Sequence, residues 1–323
     1  MFELSAYTKY IEENIDKMEL PEGPSDLYDP LRYFLNIGGK RIRPILTLLG
    51  TELFGVNKEK ALYQALAVEV FHNFTLVHDD IMDDAPLRRN QTTVHEKWNT
   101  NVGILSGDVM IIKAYQLLCK NIDPAILPET LDLFNSTAVE VCEGQQHDMD
   151  FELRDDVTIH EYIEMIRQKT SVLLGSALRT GAIIAGASES DKDAIYDFGL
   201  HIGLAFQIQD DILDLYADPE KFGKQVGGDV IANKKTLLHL TAINKATKEQ
   251  LEVVKQLQNE SNIELKINRT RELFDHLNAK EECQERMESH YKLAKDAMDK
   301  ISVPAENKAA LLSLASYLME REI

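Results

Sequence analysis

Cysteine is scarce in this chain: three in 323 residues, Cys119, Cys142 and Cys283, with no close pair. An odd, scattered set excludes a disulfide framework and reads as reduced thiols in a cytoplasmic protein. Long apolar runs are also missing. No stretch approaches about 18 apolar residues, so no membrane span is expected. The opening MFELSAYTKYIEENIDK places apolar and charged residues at helical spacing and lacks the apolar core of a secretory leader. Positive charge is in deficit, with 35 Lys and Arg against 54 Asp and Glu, a formal charge of −19. That balance excludes nucleic acid and anionic membrane surfaces as partners. It also means that the overall field cannot draw in an anionic ligand, so local cations must. No strand-like alternation and no linker or low-complexity stretch interrupts the chain. There is no Ser/His/Asp or Cys/His set for covalent catalysis, and no G-x-x-x-x-G-K-S/T phosphate loop. The expectation is a soluble, all-α protein forming a single domain over residues 1–323, a large helical bundle around a central cavity.

Apolar residues make up 44% of the chain, ample for a core. Helical spacing of apolar residues predicts a long helix from Lys58 to Asp83, an irregular segment from Pro86 to Thr100, and helices over Val102–Asn121 and Leu131–Met149. Thr158 with Glu161 and Thr247 with Gln250 have the spacing of capping boxes. Small residues crowd Gly175 to Ala187, as where helices pack closely or a cavity needs room. A helix is expected over Ile195–Tyr216, then a Gly- and Lys-rich loop from Asp218 to Asn233, then three or four polar amphipathic helices.

The stretch Glu69 to Gln91, EVFHNFTLVHDDIMDDAPLRRNQ, concentrates the chemistry. On a helix, Asp79 and Asp83 fall one turn apart on one face, where like charges repel. A structure that tolerates them there points to a cation, and hard oxygen donors point to Mg²⁺ with substrate phosphates completing its shell. The segment FQIQDDILD repeats the arrangement with Asp210, Asp211 and Asp214. One such cluster is commonly a solvated acidic face, whereas two make a cage for several Mg²⁺ ions around one diphosphate. Gly38-Gly39 is a helix break followed by Lys40, Arg41 and Arg43. Lys40 and Arg43 could supply charge to a phosphate, Arg43 in bidentate fashion.

GGKRIRP (Gly38 to Pro44), DDIMDDAPLRR (Asp79 to Arg89), Lys169-Thr170, FQIQDDILD and FGKQVGGDVIANKKT (Phe222 to Thr236) stand in the order found in trans-isoprenyl diphosphate synthases. The chain resembles that family, the polyprenyl synthetases, over roughly its first three quarters. The resemblance implies joining of isopentenyl diphosphate to an allylic diphosphate (dimethylallyl, geranyl or farnesyl) by a Mg²⁺-dependent homodimer with three ions per site. Asp79, Asp83 and Asp210 would be metal ligands, with Asp80, Asp211 and Asp214 in support and Lys169 and Lys224 in the catalytic set. Lys40, Arg43, His72 and Arg89 would hold isopentenyl diphosphate. Arg88, Lys169, Thr170, Gln207, Lys224 and Lys234 would hold the allylic diphosphate, Lys224 and Lys234 from a loop able to close. The released diphosphate would take the proton lost at the end. The cluster Gln145, Gln146, His147, Asp148 and Asp150 has ligand-type residues but no recognised metal spacing, and reads as cavity lining or structure.

A class I terpene cyclase would need neither a second complete Asp-Asp-x-x-Asp nor GGKRIRP. A Ca²⁺-binding scaffold would show EF-hand spacing after Asp79, which is absent. A non-catalytic synthase subunit would have lost one acidic cluster. Chain length in the family depends on the residues just before the first cluster, here the bulky Phe74 and the small Thr75. One blocker implies geranylgeranyl diphosphate first and farnesyl diphosphate second. On a helical wheel Thr75 and Phe71 lie within about 80° of Asp79 and Phe74 about 140° away.

Overall fold

The computed structural model describes residues 3–217 and 226–320. The helices are α1 (Leu4–Asp16), α2 (Ser25–Leu35), α3 (Ile42–Leu53), α4 (Leu62–Met82), α5 (Val94–Lys97), α6 (Thr100–Leu118), α7 (Leu127–Leu153), α8 (Ile159–Ile166), α9 (Val172–Ile184), α10 (Glu189–Tyr216), α11 (Gly228–Ile231), α12 (Leu237–Lys245), α13 (Lys248–Gln258), α14 (Ile263–His276), α15 (Ala279–Lys300) and α16 (Ala305–Met319). Among the described residues the sole strands are β1 (Leu87–Arg88) and β2 (Gln91–Thr92), a two-residue hairpin. The fold is all-α.

The chain packs as two compact units. The first comprises Met1–Phe134, Ala177–Asp193 and Ser302–Leu311, and the second the remainder. In the first unit α3 and α4 carry much of the core: Ile45, Leu48, Leu66, Val70 and Phe71 are each at most 3% exposed. The close packing expected of the small residues is found between α3 and α9. A methyl group on Gly50 would strike the Leu178 carbonyl, and one on Gly181 the Thr47 carbonyl. In the second unit Phe151, Tyr162, Ile208, Leu215, Leu237 and Phe274 form a buried cluster.

Both capping boxes form. Thr158 accepts from the Glu161 N–H while Glu161 reaches back, and Thr247 and Gln250 do the same. The helix expected from Lys58 starts instead as a 3₁₀ turn, Lys58–Ala61, with α4 proper from Leu62. Helix α7 begins four residues earlier than its apolar pattern, because Pro128 sits in its first turn, where a missing N–H costs nothing. The segment expected to be irregular contains the hairpin and α5.

Candidate active site

Helix α4 places the first acidic cluster by the way it stops. Asp83 is its C-cap and Asp84 adopts the left-handed conformation (φ 49°). The Ala85 N–H donates to the Asp80 carbonyl (2.9 Å) and the Asp84 N–H to the Ile81 carbonyl (3.3 Å). This is a Schellman closure with Asp at the position glycine usually fills, and Pro86 prevents continuation. Asp79, Asp80 and Asp83 therefore crowd the last turn of a helix, whose dipole is negative at that end. The second cluster has the same setting, since Asp210, Asp211 and Asp214 lie in the last two turns of α10, which ends at Tyr216. Carboxylates stacked at negative helix ends are an all-oxygen donor set that a hard cation fits.

The three aspartates of each cluster are not equivalent. Asp80 is fully buried, and its Oδ1 accepts from Arg88 Nε (2.8 Å) and Nη2 (2.5 Å). Burial raises its carboxyl pKa against the pull of Arg88. Arg88 Nη2 also reaches Asp79 Oδ2 at 3.3 Å. Asp211, 4% exposed, accepts from the Tyr162 hydroxyl (2.6 Å) and the Leu237 N–H (3.2 Å) on Oδ2, and from Gln207 (3.4 Å) on Oδ1. Burial pushes its carboxyl up to about 8, partly offset by the Tyr162 bond. Asp214 Oδ2 accepts the Asp229 N–H (3.0 Å) and so fixes the start of α11. The middle aspartates thus tie their helices to the core, while Asp83 is exposed and Asp79 and Asp210 are part-exposed.

Around the first cluster the cations assemble from three segments. The hairpin turn is Arg89-Asn90, with φ of 51° and 61°, the type I′ geometry that suits a two-residue hairpin. It points the Arg89 guanidinium at the Gly38 carbonyl. Gly39, at φ 146°, lies against that guanidinium with no room for a side chain. The GGKRIRP segment and Arg89 are therefore one structure. Arg43 Nη1 lies 3.0 Å from His72 Nε2. Arginine has no acceptor, so His72 Nε2 accepts and its proton sits on Nδ1. Burial, then Arg43 and Arg89, holds His72 well below the usual histidine range, and burial lowers Arg43 to about 10. Lys40 is exposed in the loop before α3. Arg41 belongs to the interior instead: 5% exposed, it pairs with Glu69 (2.6 Å) and donates to the Leu35 carbonyl (2.6 Å).

Near the second cluster, Thr170 Oγ1 donates to Gln207 (3.4 Å), whose amide donates to Asp211. Lys169 and Thr170 lie in a π turn, Arg167–Ser171, that interrupts the path from α8 to α9. Gly144 on α7 packs against the Lys169 backbone there, with no space for a Cβ. Nothing in the sequence marked this turn, while Asp148, read there as cavity lining or structure, accepts from Lys169 Nζ at 2.6 Å. Lys234 is exposed, with its N–H donated to the Asp229 carbonyl (2.9 Å). Lys224 lies outside the described residues.

Before the first cluster, Phe71 is 1% exposed and Phe74 part-exposed. The Phe74 ring lies 5.7 Å from Phe71 and 4.8 Å from His78, and Phe71 stacks edgewise on Phe134 at 5.1 Å. Thr75 donates its hydroxyl to the His72 carbonyl (2.8 Å).

A polyprenyl synthetase family model matches residues 24–275. A short chain isoprenyl diphosphate synthase of Methanothermobacter thermautotrophicus is 36% identical over 319 residues, 99% of this chain and 98% of its own. A geranylfarnesyl diphosphate synthase of Natronomonas pharaonis is 42% identical over 69% of this chain and 71% of its own. A crystal structure of a geranylgeranyl pyrophosphate synthase superposes with a TM-score of 0.94 at 43% identity, covering 100% of both chains. With a family model matched over residues 24–275 and a relative 36% identical over almost its whole length, this chain belongs to the polyprenyl synthetase family.

Proposed function

We propose that this short-chain prenyltransferase condenses isopentenyl diphosphate with an allylic diphosphate (dimethylallyl, geranyl or farnesyl) to give geranylgeranyl diphosphate, and that it does so as a cytoplasmic homodimer. The observation that carries the reading is the pair of Asp-Asp-x-x-Asp clusters at the C-terminal ends of α4 and α10. Asp79, Asp83 and Asp210 are the proposed ligands of three Mg²⁺ ions, whose charge, when they are bound, stabilises the departing diphosphate. Asp80, Asp211 and Asp214 position those carboxylates through Arg88, Tyr162 and the start of α11. Lys40, Arg43, His72 and Arg89 bind isopentenyl diphosphate, with His72 held neutral by its burial and by the neighbouring charge of Arg43. Arg88, Lys169, Thr170, Gln207, Lys224 and Lys234 take the allylic diphosphate and share its charge as C1–O breaks. The isopentenyl double bond attacks the allylic carbon, and the released diphosphate accepts the proton. Water must be excluded while the allylic cation exists. The whole chain acts as one polyprenyl synthetase domain. Among the described residues no helix is long and apolar enough to cross a membrane. Leu105 and Ile112 on α6, 57% and 59% exposed, support burial against a second copy.

Phe74 stops growth in this reading. The test is incubation with isopentenyl diphosphate and each primer, followed by chromatography of the dephosphorylated products. Geranylgeraniol should dominate, Phe74→Ala should lengthen the product by at least one isoprene unit, and Thr75→Phe should shorten it. Unchanged lengths in both variants would retire Phe74 as the floor.

A further inference from the structure

The loop between α4 and α6 gathers donor atoms that the condensation does not use. Asp84, His95 and Glu96 each present one ligand-type atom, and these lie within 4.8 Å of one another. His95 is held in place: its side chain is 6% exposed, and among the described residues neither ring nitrogen has a hydrogen-bond partner. A buried imidazole with both nitrogens unsatisfied is costly, because neither recovers the hydrogen bond it loses with water. Its Nε2 faces Glu96 Oε1 at 3.8 Å, too far for a hydrogen bond. Asp84 and Glu96 are exposed and free to rotate toward it, whereas His95 is fixed by its burial on α5.

We propose that Asp84, His95 and Glu96 bind a divalent transition-metal cation, of which Zn²⁺ fits the donors best. Ligands at about 2.0–2.1 Å in tetrahedral array stand roughly 3.3 Å apart, so the donors, now within 4.8 Å of one another, close in by about 1.5 Å at most. One imidazole with two carboxylates suits Zn²⁺, whereas Mg²⁺ prefers an all-oxygen octahedron. The fourth position is left to water. The ion would join the left-handed residue that ends α4 to α5, bracing the hairpin that carries Arg88 and Arg89. The site adjoins the first acidic cluster, Asp84 following Asp83 directly, but uses none of the proposed Mg²⁺ ligands Asp79, Asp83 and Asp210.

Calorimetric titration of the full chain with Zn²⁺ in excess Mg²⁺ tests it, since Mg²⁺ occupies the oxygen-rich clusters. The wild type should take up one Zn²⁺ equivalent, and its amides over 84–96 should exchange more slowly with Zn²⁺ present. Asp84→Asn, which keeps a side chain tolerant of the left-handed backbone, and Glu96→Gln should each weaken Zn²⁺ by about tenfold or more, the scale seen for perturbed metal sites. Co²⁺ in the wild type should give visible d–d absorption that Glu96→Gln loses. Product formation without Zn²⁺ should be unchanged in both variants, showing intact folds. No Zn²⁺ uptake, or uptake equal in the wild type and both variants, would overturn the assignment.

Discussion

Asp80 and Asp211, the middle carboxylates of the two clusters, differ from their neighbours in what surrounds them. Asp211 is the acceptor for a buried tyrosine hydroxyl and for the first N–H of α12. Asp211→Ala strands both donors and should cost about 1–3 kcal/mol of stability. Asp211→Asn keeps an acceptor and should cost little, and Asp83→Ala, at an exposed position, should cost almost nothing. Urea denaturation separates these outcomes, and an Asp211→Ala variant as stable as wild type would refute the structural role. A second residue-scale feature is the contact between His201 Nδ1 and His290 Nδ1 at 3.2 Å. Burial, then His201 and Arg286, pushes His290 down to about 4, and burial also lowers His201 despite Asp197. Between about pH 6.5 and 4 the unfolded chain therefore binds protons that the folded chain refuses, so stability falls as pH drops through that window. Replacing His290 with Gln should shrink the difference in urea midpoint between pH 7 and pH 5, and an unchanged difference would contradict the pairing.

Among the elements, α4 and α10 were legible because long apolar stripes and acidic endings sit in the sequence itself, and the two capping boxes because their partners are three residues apart. The hairpin bearing Arg88 and Arg89 was not, since two-residue strands show no periodicity and its turn uses Arg-Asn without glycine. The π turn at Lys169-Thr170 was hidden for another reason: the Gly144 contact that accompanies it comes from a distant part of the chain. Arg41, in line with two site cations, gave no local sign that it would turn inward to Glu69. Glycine packing supplies a test at this scale. Gly→Ala inside a helix ordinarily gains up to about 1 kcal/mol of propensity. At Gly181 the new methyl meets the α3 backbone, so Gly181→Ala should instead lose roughly 1–3 kcal/mol. A rise in thermal midpoint would show that α3 and α9 are not in close contact.

For the molecule as a whole, a net charge of −19 sets the problem of attracting two diphosphates. The proposed solution is local: the cations of GGKRIRP and the hairpin in the first unit and of the Lys169 turn in the second, with metal ions proposed at the two acidic clusters. If both acidic clusters serve one ionisation, they act as a unit, and losses within such a unit are not additive. The decisive measurement is kcat for condensation at saturating Mg²⁺ in Asp79→Asn, Asp210→Asn and the double variant, with folding checked by urea midpoint. Each single variant should lose about 10²-fold or more, the scale of removing one strong electrostatic stabiliser, and the double should be little worse than either. Near-normal turnover in either single variant would contradict the account.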